Sequence, residues 1–507
     1  MKKKIASLLS LCLIFTTLYS CKNDEPQQSD INNVEEEQTH EEETPVIEDD
    51  NEEEEEEEEE EEQPIEEHVH NFQNLVSSDF LVANATIDNP AIYHKSCECG
   101  EISDETFEDG SPLQYELFGE PFEADYTSLF KEYDSEDIVK VAENIVCPTI
   151  INRFIGDSRK VTFKHYSFNY ESTYLDSSRI VLSGSFIIPL FNGEPFINFV
   201  NIDSHVTLDY ARQAPSIDFG IFDFLALAGG LVIACDLLGF GRTNSSPLDY
   251  HCSHLTGKNT ADGVIAAINL IENELGISLK NYKFFNTGYS QGGYDSMAFL
   301  RYLETEASEE QRNAIQLTHS YCGSGAYDLS IMFEDALKNE TFRAPEYILM
   351  GLISAYNFHP EIFGNHTIED YLTNYGKRFI KPVLDKDYDQ VKYLKSLVYS
   401  DGTKLYNGPK DFFTFNYENP DPELLEILNK FSKLETLVNG DWLPEGRLTL
   451  YYLPKDDLVS PRSSLKALET FKGLENVDSM TGYFSDHAVG TVFYYIEIAD
   501  LIMKEIY

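Results

Sequence analysis

The sequence predicts an α/β fold, in which a mostly parallel central sheet is flanked by helices. From about residue 161 onward, short apolar segments typical of buried strands alternate with segments of helical periodicity. Such alternation requires a parallel sheet with helices on both faces. A chain of 507 residues with 42% hydrophobic content is long enough for one large domain of this kind plus smaller appendages.

The predicted elements follow from local patterns. The segment 261–275 carries apolar residues at the spacing of an amphipathic helix, and a second helix is predicted for 292–304. Between about 330 and 442 the pattern is helical and aromatic, which predicts an inserted cap or lid. Strands are predicted for residues 161–170, 179–189, 196–202, 231–236, 282–287, 315–322, 448–453 and 477–483.

The N-terminus predicts export. Three lysines at 2–4 precede an apolar stretch at 5–18 that is too short to span a membrane comfortably, and Leu18-Tyr19-Ser20-Cys21 follows. We interpret residues 1–21 as a signal peptide whose end resembles the lipobox of bacterial lipoproteins. The resemblance implies that Cys21 is acylated and anchors the protein to a membrane, at the cell surface or in the periplasm. Tyr19 is bulkier than usual in a lipobox, so ordinary cleavage at a nearby bond is the alternative.

The acidic composition argues for a tether and against one class of partner. Residues 22–67 are polar and include an unbroken glutamate run at 52–62. Such a segment cannot bury enough apolar area to offset the entropy of ordering, so we expect a disordered tether, extended by charge repulsion. The net charge of −52, and the acidic surface expected for the rest of the chain, exclude nucleic acid as an expected partner.

Residues 68–111 predict a small β-rich module. They contain His70 and the string Tyr93-His94-Lys95-Ser96-Cys97-Glu98-Cys99-Gly100, and resemble a Cys/His module found in cell-surface proteins of anaerobic bacteria. Members commonly have a further cysteine where this chain has Ile87. Two interpretations stay open: a plain β-rich spacer, or an incomplete zinc shell of His70, Cys97 and Cys99.

The remaining cysteines leave two possibilities. An exported protein can form disulfide bridges among Cys147, Cys235, Cys252 and Cys322. Cys235 and Cys322, however, lie in strand-like apolar runs, which are also typical of buried thiols. The spacing does not assign pairs.

The string Gly288-Tyr289-Ser290-Gln291-Gly292-Gly293 lies between a predicted strand and a predicted helix. The Gly-x-Ser-x-Gly string alone is moderate evidence, but strand, glycines and helix occur in the order that a nucleophile elbow requires. So tight a turn needs small flanking residues and holds the hydroxyl above the sheet, at a helix N-terminus. We predict Ser290 as a catalytic nucleophile. The alternative is a glycine-rich turn with an incidental serine.

A serine nucleophile needs a general base and a carboxylate that orients the base. Asp456 follows the predicted strand 448–453, and His487 follows the predicted strand 477–483. The chain order of serine, aspartate and histidine fits the nucleophile-elbow arrangement. We predict that His487 takes the serine proton and that Asp456 fixes its tautomer. Asp457 is the alternative carboxylate.

Two hydrogen-bond donors are needed for the oxyanion that develops in acyl transfer. The backbone N–H of Gln291, next after the nucleophile, is the first candidate. The second is expected in the loop after the third predicted strand, where Val206 and Thr207 are the candidates.

Several strings together resemble the secretory-lipase and related esterase branch of the α/β-hydrolases, over about residues 161–487. The resemblance implies an α/β-hydrolase fold for residues 112–507, ester hydrolysis, and no metal or organic cofactor. The family usually has His-Gly-Thr where this chain has His205-Val206-Thr207, so a side chain at Val206 displaces the second donor or narrows the acyl pocket. The strings are Leu227-Ala228-Gly229-Gly230, those at 236–243, 288–293 and 325–329, and Trp442-Leu443-Pro444.

These features predict an exported serine hydrolase that cleaves small-molecule or lipid esters through an acyl-enzyme. A peptidase resembling the prolyl oligopeptidases is one alternative, although no propeller-like repeat is visible. A surface binding protein on an inactive hydrolase fold is another, favoured by Val206 and opposed by the complete set of catalytic candidates. Aromatic and Met side chains of the predicted lid suit an apolar acyl or aromatic group: Tyr347, Met350, Phe358, Phe412, Phe413 and Phe415.

Overall fold

The computed structural model describes eight segments of the chain. Outside these segments lie the predicted signal peptide with Cys21, the predicted tether, Val206 and Thr207. The described residues form two units, one of 69–84 and 91–110 and the other of 85–90 and the described residues from 111 onward. The described segments are 69–125, 161–204, 212–216, 224–340, 342–398, 404–414, 421–483 and 486–507.

The smaller unit is a three-stranded antiparallel sheet. Its strands are β1 (Leu81–Ala83), β2 (Ala91–Ser96) and β3 (Ile102–Asp109), in the order β1-β2-β3. Both strand pairs are antiparallel. This sheet is the N-terminal β-rich module that the sequence predicts.

The larger unit contains a sheet of ten described strands, with the order β13-β12-β11-β10-β8-β9-β6-β5-β4 and with β7 paired to β6. The pairs from β9 through β8 to β13 are parallel, whereas β4, β5, β6 and β7 pair antiparallel. This confirms the predicted mostly parallel sheet. The strands are β4 (Tyr115–Asp125), β5 (Val161–Thr173), β6 (Arg179–Phe191), β7 (Glu194–Pro195), β8 (Phe199–Ser204), β9 (Gly230–Cys235), β10 (Phe284–Tyr289), β11 (Leu317–Gly323), β12 (Leu448–Tyr452) and β13 (Val477–Thr481).

The strand order reverses beside β8. The chain goes from β8 to β9 on one side and then to β10 on the other side of β8. In open α/β sheets such a reversal of strand order marks a crevice outside the carboxyl ends of the strands. Ligands of open α/β sheets bind in such a crevice.

The described helices include two long ones that follow strands, and a group between β11 and β12. No described helix has the combination of length and apolar composition that a membrane span needs. The helices are α1 (Phe224–Leu227), α2 (Ser253–Asn273), α3 (Gln291–Thr305), α4 (Glu309–Ala314), α5 (Leu329–Lys338), α6 (Pro345–Phe358), α7 (Ile380–Leu384), α8 (Tyr388–Ser396), α9 (Pro409–Phe412), α10 (Pro422–Glu435), α11 (Pro461–Thr470) and α12 (His487–Ile506).

Helices cover both faces of the larger sheet. Successive side chains of a strand point to opposite faces, and in β8 the buried Val200 belongs to the same apolar cluster as residues of α2 and α3. Its neighbour Phe199 belongs to a second cluster, which includes residues of α1 and α12. The near-continuous apolar character of the parallel strands follows from this two-sided burial.

Helix α2 begins at Ser253, two turns before the predicted start at residue 261. Its first eight residues contain small and polar types, which hides the apolar periodicity. The structure buries six of these eight residues, because small residues allow close helix packing: a Cβ on Gly257 would lie 2.6 Å from Tyr302 Cβ of α3.

Strand β4 was not predicted. Its pairing with β5 shifts register between Phe118 and Phe122, and Gly119 there has φ +67°. A bulge of this kind breaks the alternation on which strand prediction depends.

The segment between β11 and β12 is the predicted helical lid. Among its described residues, extended pairing is limited to isolated bridges such as Leu372 with Phe413. Leu349, Met350 and Phe412 are fully buried and share one apolar cluster, so the lid has a packed interior.

A buried carboxylate links the lid to the first turn of α2. Glu435, at the end of α10, accepts hydrogen bonds from the Ser253 N–H (2.7 Å) and the Ser253 hydroxyl (2.9 Å). Its other oxygen lies 2.7 Å from Nε2 of His359, which follows α6. The hydrogen bond to Glu435 raises the pKa of His359 above its ordinary value.

None of Cys235, Cys252 and Cys322 forms a disulfide, and burial raises the pKa of all three thiols. Cys235 and Cys322 therefore follow the buried-thiol alternative, and Cys252 is a free thiol as well. Cys147, the fourth candidate for a bridge, lies outside the described residues.

We expect Glu435→Ala to lower the free energy of unfolding by about 3 kcal/mol, because it leaves His359 without its buried partner. The raised pKa of His359 means that its stabilisation is complete below the unfolded-state pKa of about 6.5 and is lost as pH rises through the folded value. The difference between wild type and variant, measured by urea unfolding, should therefore shrink above about pH 6.5.

Glu426→Ala on the same helix is the matched control. Glu426 forms an exposed pair with Lys430, so its loss should change stability by less than about 1 kcal/mol. Equal effects of the two substitutions would contradict the anchoring role of Glu435.

Candidate active site

Ser290 lies in a sharp turn between β10 and α3. Its backbone has φ +61° and ψ −122°, a conformation that costs a non-glycine residue about 1–3 kcal/mol. The Ser290 N–H donates to the Gly323 carbonyl at the end of β11, with an N···O distance of 2.8 Å. The sheet thus holds the strained residue in place, with its half-buried side chain at the carboxyl edge of the strands.

The glycines around Ser290 are required by close packing. A Cβ on Gly288 would lie 2.2 Å from the Gly292 carbonyl oxygen, and a Cβ on Gly293 would lie 2.2 Å from the Gly323 carbonyl oxygen. Both contacts are with backbone, which cannot move aside. These glycines therefore let α3 begin directly against β10 and β11.

The structure brings His487 and Asp456 together. His487 begins α12, and its Nδ1 lies 2.8 Å from Asp456 Oδ2 and 3.0 Å from Oδ1. Asp456 Oδ1 also accepts the N–H groups of Leu458 (3.0 Å) and Val459 (2.9 Å), so the loop fixes the carboxylate. A carboxylate on Nδ1 leaves Nε2 as the ring nitrogen available to a reacting group.

The neighbouring carboxylate has a different partner. Asp457 Oδ1 accepts the backbone N–H of His487 at 3.0 Å, and this contact positions the first turn of α12. Of the two candidate carboxylates, Asp456 therefore contacts the imidazole and Asp457 contacts the backbone of the same residue.

Ser290 and His487 line the same cavity. The Nε2 atom of His487 is buried and has no hydrogen-bond partner among the described residues, so it does not form a hydrogen bond with the Ser290 hydroxyl. Tyr289 supports the imidazole: its ring centroid lies 4.9 Å from that of His487, and its hydroxyl donates to the His487 carbonyl at 3.2 Å.

Gln291 is the first residue of α3, where backbone N–H groups have no acceptor within the helix. Its side chain points to a separate partner, because Nε2 donates to Asp295 Oδ1 at 2.8 Å. Burial raises the pKa of Asp295 well above its ordinary value. The other predicted donors, Val206 and Thr207, lie outside the described residues.

The cavity has a volume of about 500 Å³, within the range of small-molecule sites. One part of its wall consists of sheet-edge residues, including Ser290, His487 and Leu458. The lid forms the other part, with α5 contributing Met332, Phe333 and Ala336.

Polar groups are also present in the cavity wall. Glu346 is buried, with Oε1 2.5 Å from Lys395 Nζ and with Oε2 lacking a partner among the described residues. Burial raises the pKa of Glu346. His251, with φ +66°, also lines the cavity, and burial lowers its pKa to about 3, so the imidazole is neutral.

Most of the lid residues that the sequence predicts to line a pocket do not line the cavity. Tyr347 lines the cavity, whereas Met350, Phe412 and Phe413 are buried in the lid cluster. Phe358 packs against the cluster beside α2, and Phe415 lies outside the described residues. Phe333 and Glu346 were not predicted. The amphipathic pattern of α5 is a signal for Phe333, whereas no sequence signal points to Glu346 in α6.

We expect Gly293→Ala to lower the free energy of unfolding by about 1–3 kcal/mol, because the new methyl group collides with backbone. Urea unfolding followed by circular dichroism measures this. Gly351→Ala in α6 is the comparison: its Cβ would lie 3.3 Å from a Phe333 side-chain atom, and the gain of about 1 kcal/mol in helix propensity offsets that contact. A Gly293→Ala protein as stable as Gly351→Ala would contradict the packing argument.

Comparison with known proteins identifies the fold. No protein-family model matches the sequence, and no curated protein matches it. The rice cell wall degrading esterase LipA from Xanthomonas oryzae, in a ligand-bound form, superposes with a TM-score of 0.56 at 16% identity, over 78% of this chain and 97% of that chain. A protein from Legionella pneumophila described as a hydrolase gives a TM-score of 0.58 at 17% identity, also over 78% and 97%. The larger unit therefore has the α/β-hydrolase fold.

Proposed function

We propose that this chain is a serine hydrolase that cleaves carboxylic esters through an acyl-enzyme on Ser290. The observation that carries the proposal is the pairing of Asp456 with His487, which lines the same cavity as Ser290. The fold supports it, because LipA from Xanthomonas oryzae, which has a similar structure, is described as an esterase. The strained backbone of Ser290 supports it further, since such strain is typical of functional residues.

The proposed reaction follows from the direction of the hydrogen bonds. The Ser290 hydroxyl attacks the ester carbonyl while Nε2 of His487 takes its proton, and Asp456 stabilises the resulting imidazolium through Nδ1. The same proton then passes to the departing alcohol. Water hydrolyses the acyl-enzyme in a second cycle, in which His487 again acts as the base.

Charge on the tetrahedral intermediate needs donors that are already in position. The backbone N–H of Gln291 suits this role, because it begins a helix beside the nucleophile and the partial positive charge of the helix N-terminus adds to it. We propose Val206 or Thr207 as the source of the second donor.

The cavity supports an ester with a mostly apolar group. Phe333, Met332 and Ala336 suit an acyl chain or an aromatic ring, while the partly unpaired carboxylate of Glu346 suits a hydroxyl on the same substrate.

We further propose that the protein is exported and is anchored to a membrane by acylation of Cys21. The n-region, the apolar stretch and the lipobox-like string support this part of the proposal.

A fluorophosphonate probe tests the nucleophile. The full chain should be labelled in about one-to-one ratio and should hydrolyse p-nitrophenyl esters faster than dipeptide amides, whereas Ser290→Ala should show no labelling and a kcat lower by at least about 10³-fold. Ser330→Ala, which removes an exposed hydroxyl at the start of α5, should behave like wild type. Equal labelling of wild type and Ser290→Ala would contradict the proposal.

The two neighbouring carboxylates provide a matched pair of variants. Asp456→Asn should lower kcat by about 10⁴-fold, because the amide no longer stabilises the correct tautomer of His487. Asp457→Asn should cost less than about tenfold, since an amide oxygen still accepts the His487 N–H. Steady-state kinetics on one ester measure both, and the reverse order of effects would assign the orienting role to Asp457.

A further inference from the structure

We infer that the smaller unit binds one zinc ion through His70, Cys97 and Cys99. The possible ligand atoms of these residues all lie within 4.8 Å of one another. His70 Nδ1 lies 3.3 Å from Cys99 Sγ. Zinc bonds of about 2.0–2.1 Å to nitrogen and 2.3 Å to sulfur place tetrahedral N and S ligands about 3.5 Å apart, so the observed spacing suits a shared ion.

The backbone holds the three side chains at one place. Cys97 and Cys99 lie in the turn between β2 and β3, where the Cys97 N–H donates to the Glu101 carbonyl (2.8 Å) and the Gly100 N–H donates to the Cys97 carbonyl (2.9 Å). Gly100 has φ +95°, which a side chain would disfavour, and the turn therefore depends on glycine.

His70 comes to the turn from a separate segment. Two backbone hydrogen bonds join Gln73 and Ser96, with N···O distances of 2.9 and 3.0 Å. They fix the segment of His70 beside the residue that precedes Cys97. The His70 ring also stacks on Phe72, with centroids 5.8 Å apart. The ligands thus come from two segments of the chain, which a bound metal ion would cross-link.

The smaller unit also needs a cross-link of this kind. Its described residues are the stretches 69–84 and 91–110, and its strands carry exposed apolar residues such as Val82 (48% exposed) and Ile102 (48% exposed). Among its described residues the buried apolar side chain is that of Cys97, at 4% exposure. Small sheets with so little buried apolar area usually require a metal, a disulfide or another partner to be stable.

Zinc is the ion that this donor set favours. Soft thiolates and an imidazole suit the borderline-soft zinc ion, whereas magnesium and calcium take oxygen ligands. Binding releases the two thiol protons and leaves the fourth position to a solvent molecule. The sequence leaves a β-rich spacer and a zinc shell open, and the placement of these three ligands favours the zinc shell.

A second group of possible ligands carries no such inference. Cys252, His359 and Glu435 also lie within reach of one another. Both oxygens of Glu435 already accept hydrogen bonds or contact His359, so this group is a satisfied ion-pair network.

Metal titration of the full-length chain tests the inference. Metal-free, reduced protein should bind about one zinc ion per chain against a chromophoric competitor, with release of about two protons. Cobalt should give a thiolate-to-metal charge-transfer band, which the carboxylates of the glutamate run cannot produce. Cys97→Ser and Cys99→Ser should each remove at least about half of the band, because each removes one of the two thiolates, and His70→Ala should weaken binding by at least about tenfold.

His94→Asn and Cys322→Ser are the controls. His94 contacts the Ser103 carbonyl through Nδ1, and Cys322 is buried in β11 of the larger unit, so both variants should keep the cobalt band. Zinc binding that is equal in wild type and in Cys97→Ser would overturn the inference. So would a wild-type protein that binds no zinc, whether its thiols are reduced or joined in a Cys97–Cys99 disulfide.

Discussion

The architecture of the candidate site depends on the backbone of Ser290, which is held at positive φ between β10 and α3. That conformation is costly for a residue with a side chain, and it persists because β11 supplies an acceptor for the Ser290 N–H. The close contacts of Gly288 and Gly293 remove the space in which the turn could relax. One strained residue thus determines where α3 starts and where the hydroxyl points.

The sheet positions the other two proposed catalytic side chains at the same edge as Ser290. Parallel strands end together, so the loops after β12 and β13 bring Asp456 and His487 beside the end of β10. Two backbone N–H groups fix the Asp456 carboxylate, which fixes the imidazole in turn. In the proposed mechanism this chain of contacts leaves Nε2 of His487 available to take the proton of Ser290.

The sequence predicted those parts that local order determines. Ser290, Asp456 and His487 each follow a strand, and strand order is visible as a pattern along the chain. The cavity wall was less predictable, because which lid residues face it depends on how helices rotate and pack: Tyr347 lines the cavity, while Met350, three residues later, is buried in the lid. Strand β4 was missed because a bulge interrupts its alternation.

A crystal structure of the chain after reaction with an ester-like phosphonate is the most direct measurement of the central claim. The account predicts a covalent bond from Ser290 Oγ to phosphorus, a phosphoryl oxygen on the Gln291 N–H, and His487 Nε2 within about 3.2 Å of Ser290 Oγ. Phosphorus on another residue, or an imidazole that stays beyond hydrogen-bond reach of Ser290 in the adduct, would contradict it.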